Sequence, residues 1–364
     1  MMEIACSNCK RPYPGSGVPY RCLVCGGLFD YVSWPAYDPI QNNPRLPGIW
    51  RFQHVLGLPE KSPIFSLGEG NTPLVWANVN GVQVAFKCEF QNPTGSFKDR
   101  GSLPIVSFLG LRGITEAVED SSGNAGASFA AYSARAGIKA CIYIPDTTSG
   151  PKRWQIEAYG AEVIQILGPR SNTAEAVRKA ASQGAVYASH AYLPFNLPGY
   201  ATIAYEIVEQ LNSPPGTVFI PAGQGGLLLG IGRGFEAMCQ SGFIPQMPVL
   251  VGVQAMACAP LWALHAYGPA GLGFVTEGQT AAEGIRVHQP LRGDAVLRMI
   301  EKNAGRLLAI DEKGIISGRD QLALKGFYVE ATSAVVWDAM QQLMGRCPEP
   351  WVAVLTGSGM KTTR

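Results

Sequence analysis

From Val82 to Leu355 the chain alternates short apolar runs with segments of helical spacing, and that alternation narrows its possible folds more than any other feature. Val82–Lys87 reads as a strand, Phe97–Leu111 as a helix, Ala117–Asp120 as a strand and Gly126–Ala136 as a helix of small residues. Ala140–Ile144 is apolar throughout and stops at Pro145, the pattern of a parallel strand buried on both faces. Next come a helix at Lys152–Tyr159, a strand at Glu162–Leu167, helices at Ala174–Gln183 and Ile203–Leu211, and a strand at Thr217–Ile220. A helix at Leu227–Cys239 and a strand at Val249–Gln254 follow, then helices at Glu312–Gly326 and Ser333–Met344 and a strand at Trp351–Leu355. Strands separated by helices pair side by side as parallel sheets with helices on both faces. The expected fold class is therefore α/β, with two doubly wound parallel-sheet domains, since 364 residues are long for one domain. Ligands of such sheets gather where strand ends meet helix N-termini.

Composition agrees. Hydrophobic residues make up 47% and charged residues 15%, a balance that favours a large buried core. The net charge is +2 with no run of Lys or Arg, so neither nucleic acid nor an anionic membrane is an expected partner. The longest apolar runs, such as Leu227–Leu229, are far too short to span a bilayer. The opening MMEIACSNCK has no apolar h-region, so no signal peptide is expected and a cytoplasmic location is. Nine cysteines in such a chain suggest thiols and a metal, not disulfides.

Four of those cysteines form two C-x2-C pairs, Cys6 with Cys9 and Cys22 with Cys25. Each spacing folds two sulfurs toward one point, and two such knuckles can surround a zinc ion tetrahedrally. Gly26 and Gly27 follow the second pair, where a tight turn needs small residues. The stretch is too short and polar for a core of its own, so a metal would supply its folding energy. With four sulfurs and no open position, the expected role is structural: an N-terminal zinc ribbon. Unrelated free thiols are the plain alternative; a redox C-x2-C is the other, disfavoured by two pairs and no strand–helix context. A linker from about Trp34 to Pro63, without periodicity, is expected to wrap the main body.

Four segments lie at strand–helix junctions. The first is Asn92-Pro93-Thr94-Gly95-Ser96-Phe97-Lys98-Asp99-Arg100-Gly101, which opens a helix with Lys98 in its first turn. The positive end of the helix dipole pushes a lysine there toward its neutral, nucleophilic form. A surface lysine beside Asp99 and Arg100 on a solvated helix is the alternative. In the second, Ser121-Ser122-Gly123-Asn124-Ala125-Gly126, small residues let backbone N–H groups approach a carboxylate, and Asn124 can meet a phenolic oxygen. An ordinary capped turn is the alternative. The third, Pro221-Ala222-Gly223-Gln224-Gly225-Gly226-Leu227, is a glycine-rich turn suited to phosphate. Leu228 stands where a dinucleotide fingerprint needs its last glycine, and the next strand ends at Gln254 instead of an acid. The fourth, Leu355-Thr356-Gly357-Ser358-Gly359, puts a hydroxyl at a strand end, where it can bond a pyridine nitrogen; a plain turn would look the same.

In this order the four segments resemble the fold type II pyridoxal-phosphate enzymes, the tryptophan synthase β family, over essentially the whole chain. EGNTPL (Glu69–Leu74), NPTGSFKDRG, SSGNAGAS, VEATSA (Val329–Ala334) and LTGSG look most like threonine synthase, and an N-terminal cysteine ribbon also occurs in threonine synthase-like chains. The resemblance implies pyridoxal 5′-phosphate bound through Lys98, with Asn124 on its O3′ and Thr356 on its ring nitrogen. It implies that Gly223, Gln224, Gly225, Gly226 and Leu227 hold the phosphate, and that Ser121, Ser122 and Gly123 take the substrate carboxylate. It further implies a zinc-ribbon segment at 1–33, a large cofactor-binding domain at 34–97 and 196–364, a small domain at 98–195, a small amino-acid substrate and a homodimer.

The resemblance breaks at His190-Ala191-Tyr192-Leu193-Pro194-Phe195-Asn196-Leu197-Pro198-Gly199-Tyr200. Threonine synthases usually carry N-P-x-R-x-x-G-Q there, and the arginine grips the substrate phosphate. Asn196 falls at the arginine and Tyr200 at the glutamine, and a neutral amide cannot make the charge-assisted contact. Ala282-Glu283-Gly284-Ile285 resembles a segment of threonine and serine ammonia-lyases, which would put Glu283 near the ring or the substrate amine; a turn glutamate is the alternative. Threonine synthase chemistry is expected, with a threonine or serine dehydratase as the second reading and a non-catalytic binding module as the third.

Overall fold

The computed structural model describes residues 3–148 and 150–362. Two short strands, β1 (Ile4–Cys6) and β2 (Phe29–Tyr31), precede a long irregular stretch. Then come β3 (Leu74–Val79), β4 (Val82–Lys87), α1 (Lys98–Leu111), β5 (Glu116–Glu119), α2 (Asn124–Ala136), β6 (Lys139–Pro145), α3 (Pro151–Ala158), β7 (Glu162–Ile166) and α4 (Arg170–Ser182). The chain continues through α5 (Asn196–Leu211), β8 (Thr217–Pro221), α6 (Gly226–Gln240), β9 (Val249–Ala255), α7 (Pro260–Tyr267) and α8 (Gly293–Lys302). It ends with β10 (Arg306–Ile310), α9 (Glu312–Leu324), α10 (Ala331–Gln342) and β11 (Trp351–Val354). The backbone packs as two compact units, one of residues 3–70 with Asn92–Gly199, the other of Asn71–Gln91 with Tyr200–Lys361.

In the first unit β5, β6 and β7 form a parallel sheet, with Val118 opposite Cys141 and Ile142 opposite Val163. Val118 also bridges Tyr187 in the parallel sense. Helices α1 and α2 bury Leu103, Phe108, Phe129 and Tyr132 together with Ile142 and Ile144. Trp50, from the stretch read as a wrapping linker, is fully buried in the same core. Cys6 ends β1, which pairs antiparallel with β2, and Cys9, Cys22 and Cys25 lie in the turns between the two strands; Tyr13 packs edge-on against Phe29 and Phe195, with centroids 4.7 and 5.4 Å away.

The second unit holds a six-stranded sheet in the order β10-β9-β8-β11-β4-β3. Four of its five pairings are parallel, but β3 runs antiparallel to β4, so this sheet is mixed and not wholly parallel as its sequence pattern suggests. The physical reason is the connection: only Asn80 and Gly81 join β3 to β4, which permits a hairpin and no crossover. Central strands β8 and β11 are buried along their whole length, as their Val, Ile, Phe and Trp content requires. Lys87, fully buried at the end of β4, donates to Glu206 at 2.7 Å, to Gln210 Oε1 at 2.9 Å and to the Thr72 carbonyl at 2.8 Å. Among the described residues no helix is long and apolar enough to cross a membrane.

Candidate active site

In the first unit, α1 begins at Lys98, so the lysine occupies the first helical position where the dipole acts most strongly. Its neighbours are not those of a solvated helix: Asp99 and Arg100 are both fully buried. The Asp99 carboxylate accepts from Thr94 N at 2.7 Å and from Thr94 Oγ1 at 2.6 Å, which ties the Pro-Thr-Gly turn back onto the helix. Gln155 of α3 donates to the Thr94 carbonyl at 3.1 Å from the other side. Lys98 Nζ lies 4.9 Å from the centre of the Phe97 ring.

The second junction follows β5. Ser121 is 5% exposed, its hydroxyl accepts from Gly123 N at 3.3 Å, and Asn124 opens α2. Gly126 is required here, because a Cβ would stand 1.8 Å from the Ser121 carbonyl oxygen. The Ser121–Asn124 turn is thus pressed against the start of α2, with its backbone N–H groups gathered at a helix N-terminus.

What stands beside this turn is brought there by residues far apart in the chain. Glu119, the last residue of β5, is fully buried and contacts Nδ1 of His190 closely. Burial pushes the Glu119 carboxyl up to about 7, against the lowering effects of the Asp120 N–H and the Lys98 and Arg170 charges. Burial, reinforced by Lys98, holds His190 well below the usual imidazole range. Asp120 accepts from the Tyr187 hydroxyl at 2.7 Å and is likewise pushed up, by burial and by Glu119. Asn196 begins α5 at 2% exposure, and its Nδ2 donates to the His190 carbonyl at 2.5 Å. The available signal was Glu119-Asp120 at a strand end directly before a candidate substrate loop.

In the second unit, the glycine-rich turn joins β8 to α6. Gly225 has φ of +83°, and a Cβ there would meet Val296 at 2.5 Å, so this position accepts only glycine. Gln224 Oε1 accepts from Leu291 N at 3.1 Å. Gln254, buried at the end of β9, donates to the Ala222 carbonyl at 3.1 Å and accepts from Trp262 N at 2.9 Å. Where a dinucleotide fold would place its acid, this chain uses an amide to hold the turn. After β11, the buried Thr356 hydroxyl lies 3.0 Å from Ser333 Oγ, which itself accepts from Gly357 N at 3.0 Å. The Glu283 side chain is exposed, while Gly284 N donates to Thr332 Oγ1 at 3.2 Å.

These groups fit pyridoxal phosphate. The turn aims the uncapped N–H groups of a 15-residue helix at one place and carries no carboxylate there, which suits the phosphate. A buried neutral hydroxyl at the strand end suits a pyridine nitrogen. The N-terminal cysteines likewise fit a metal: their four sulfurs lie within 4.8 Å of one another. Backbone N–H groups of Cys25 and Val24 hold the Cys22 thiol down to about 6, whereas Cys25, although the Gly27 N–H lowers it, is pushed up to about 11 by the neighbouring Cys6 and Cys9 thiols, so it is the clustering of the four sulfurs that suits a metal.

The family model of the pyridoxal-phosphate dependent enzymes matches residues 65–357, and the chain belongs to that family. Among its relatives, the threonine synthase of Methanocaldococcus jannaschii is 32% identical over 377 aligned positions, covering 98% of this chain and 92% of that one. The threonine synthase of Bacillus sp. is 33% identical, over 85% of this chain and 89% of its own. Among solved structures, a T.th. threonine deaminase superposes with a TM-score of 0.69 at 23% identity, covering 80% of this chain and 94% of that one. Maize serine racemase gives 0.66 at 20% identity, over 79% and 88%. These two show the same fold.

Proposed function

We propose that this chain is a pyridoxal-phosphate-dependent carbon–oxygen lyase acting on a small 2-amino acid by threonine synthase-like chemistry. The reference reaction is O-phosphohomoserine plus water giving threonine plus phosphate. The observation that carries the reading is Lys98 at the first position of α1, beside a turn that the Thr94–Asp99 hydrogen bonds tie to the helix, in a chain similar to threonine synthases along nearly its full length. Lys98 holds the cofactor aldehyde, and Asn124 faces its O3′. The N–H groups of Gly223, Gln224, Gly225, Gly226 and Leu227 hold the phosphate, and the Thr356 hydroxyl, oriented by Ser333, meets the ring nitrogen. When bound, the cofactor withdraws electrons from the substrate Cα. The N–H groups of Ser121, Ser122 and Gly123 orient the substrate carboxylate, and the Lys98 amine moves the Cα proton. The four N-terminal cysteines hold one structural Zn2+.

A second substrate class, unphosphorylated threonine or serine deaminated to a keto acid, is favoured by Asn196, which offers an amide and no cation beside the Glu119–His190 pair. The lyase reading is tested by steady-state assay of phosphate release from O-phosphohomoserine beside keto-acid release from threonine and serine. Turnover of any of them supports it, and turnover of none refutes it.

A further inference from the structure

The segment that holds the four cysteines is packed into the first unit: Ile4, Cys6, Val18, Cys22 and Phe29 share one buried core with Phe108, Leu193 and Phe195. Two of its tyrosines, neither of them a metal ligand, reach the segment 187–196 that bears His190 and Asn196. Tyr20 packs against Tyr187 and Tyr192, with ring centroids 5.1 and 5.0 Å away. Its hydroxyl has no hydrogen-bond partner among the described residues, so the ring alone makes the contact. Tyr13 packs edge-on against Phe195 at 5.4 Å, and Phe195 stacks on Phe108 at 3.8 Å. Tyr13 also donates its hydroxyl to the Pro19 carbonyl at 3.1 Å, which ties the two tyrosines together. Arg112, which caps α1 at the end opposite Lys98, donates to the Pro14 carbonyl at 3.0 Å and to that of Gly15. The gripped segment in turn borders the substrate turn. Tyr187 donates to Asp120, the residue before Ser121, at 2.7 Å, and Ala188 N donates to the Val118 carbonyl at 2.9 Å. Direct contacts therefore run from the cysteine knuckle through Tyr20 and Tyr187 to the turn that begins at Ser121.

We propose that Tyr13 and Tyr20 are positioning residues for the substrate site. The metal-bound knuckles hold segment 187–196 and, through Tyr187 and Asp120, the Ser121–Gly123 turn in the arrangement that takes the substrate. This rests on the reading of Ser121–Gly123 and Asn196 as the substrate side of a pyridoxal-phosphate site. The four sulfurs fix where the knuckles lie, and Tyr20 stands two residues before Cys22. Metal occupancy thereby sets the fraction of molecules that have the segment in place. A substrate that binds only that fraction shows an affinity reduced by the same factor, while a molecule that has bound it reacts at the native rate. Loss of the clamp thus raises KM, spares kcat and leaves the cofactor on Lys98 undisturbed. A staple that only supports the fold predicts a different pattern, in which KM, kcat and cofactor content fail together with stability.

The test titrates full-length native holoenzyme, Tyr20→Ala and Tyr20→Phe with O-phosphohomoserine, L-threonine and L-serine, reading turnover and the visible band of the cofactor in parallel. Tyr20→Ala removes two aromatic pairs and is expected to raise the half-saturating concentration roughly tenfold. Its kcat is expected to stay within about threefold of native, with the resting band unchanged. Tyr20→Phe keeps the ring and is expected to restore the native half-saturating concentration. Native protein stripped of metal by a chelator under reducing conditions is expected to show the same rise, and added Zn2+ to reverse it. If Tyr20→Ala does not fold, Tyr20→Leu, which keeps apolar bulk without the ring, carries the test together with the stripped protein. The proposal is overturned if Tyr20→Ala keeps the native half-saturating concentration, if it loses kcat and the resting band in step with affinity, or if the stripped protein binds as the native one does. A native holoenzyme that neither turns over nor shifts its band with any of the three compounds removes the lyase reading, and this proposal with it. A responsive native holoenzyme beside an unaffected Tyr20→Ala removes this proposal alone.

Discussion

The hydroxyls of Thr356 and Ser333 lie 3.0 Å apart, both buried, and the Ser333 hydroxyl also takes the N–H of Gly357. Ser333 thus aims Thr356 and leaves it neutral. Thr356→Ser keeps the hydroxyl and is expected to retain most activity. Thr356→Asp puts a carboxylate in its place, which would favour a protonated ring nitrogen and open transaminase-like side reactions. The product ratio of the two variants measures this, and an unchanged ratio with full rate in Thr356→Asp contradicts the assignment.

The cysteine cluster predicts one zinc per chain. Sulfur pairs Cys6–Cys25 and Cys9–Cys22 are 3.5 and 3.6 Å apart. Tetrahedral zinc with bonds of about 2.3 Å sets sulfurs roughly 3.8 Å apart, so little movement is needed. Elemental analysis of protein purified without chelator, under reducing conditions, should find one equivalent, reduced in Cys22→Ser. Metal-free protein of undiminished thermal stability would refute a structural zinc.

Much of the fold is legible because buried parallel strands and the junctions after them leave local marks. Both β8 and β11 are apolar runs, and the Lys98, Ser121–Asn124 and Gly223–Leu227 turns carry their glycines and hydroxyls in sequence order. The antiparallel strand β3 is not legible, since it lies at a sheet edge with Val75 and Trp76 exposed and shows no clean alternation. Neither are α8 and β10, which lie in a stretch broken by Gly293, Ala304 and Gly305. The Glu119–His190 contact joins residues 71 apart, and no local pattern encodes such a pairing.

The buried pair Lys87–Glu206 gives a stability prediction. Lys87→Met removes the ammonium partner of the buried Glu206 while its hydrogen bond from Asn71 N remains, which costs about 3–5 kcal/mol. Lys87→Met with Glu206→Leu removes both charges and should recover much of the loss. Thermal midpoints of the two proteins decide it, and equal midpoints contradict a desolvated ion pair.

Glu119 predicts a pH dependence with a definite sign. Its carboxyl sits at about 7 in the folded chain against an ordinary 4.5. Between these values the folded state binds more protons than the unfolded one, so stability is full below the ordinary value and falls as pH rises toward 7. The native thermal midpoint should therefore drop more steeply than that of Glu119→Gln between about pH 5 and 8. Parallel curves would show that Glu119 titrates normally.

The central claim is that Lys98 carries pyridoxal phosphate, and absorbance spectroscopy of Lys98→Ala beside the native holoprotein tests it most directly. The native protein is expected to show the visible band of lysine-bound cofactor and to keep it through gel filtration. Lys98→Ala is expected to lose both that band and turnover while retaining its far-ultraviolet spectrum. A Lys98→Ala protein that keeps the band and its full activity would place the cofactor on another lysine and contradict the account.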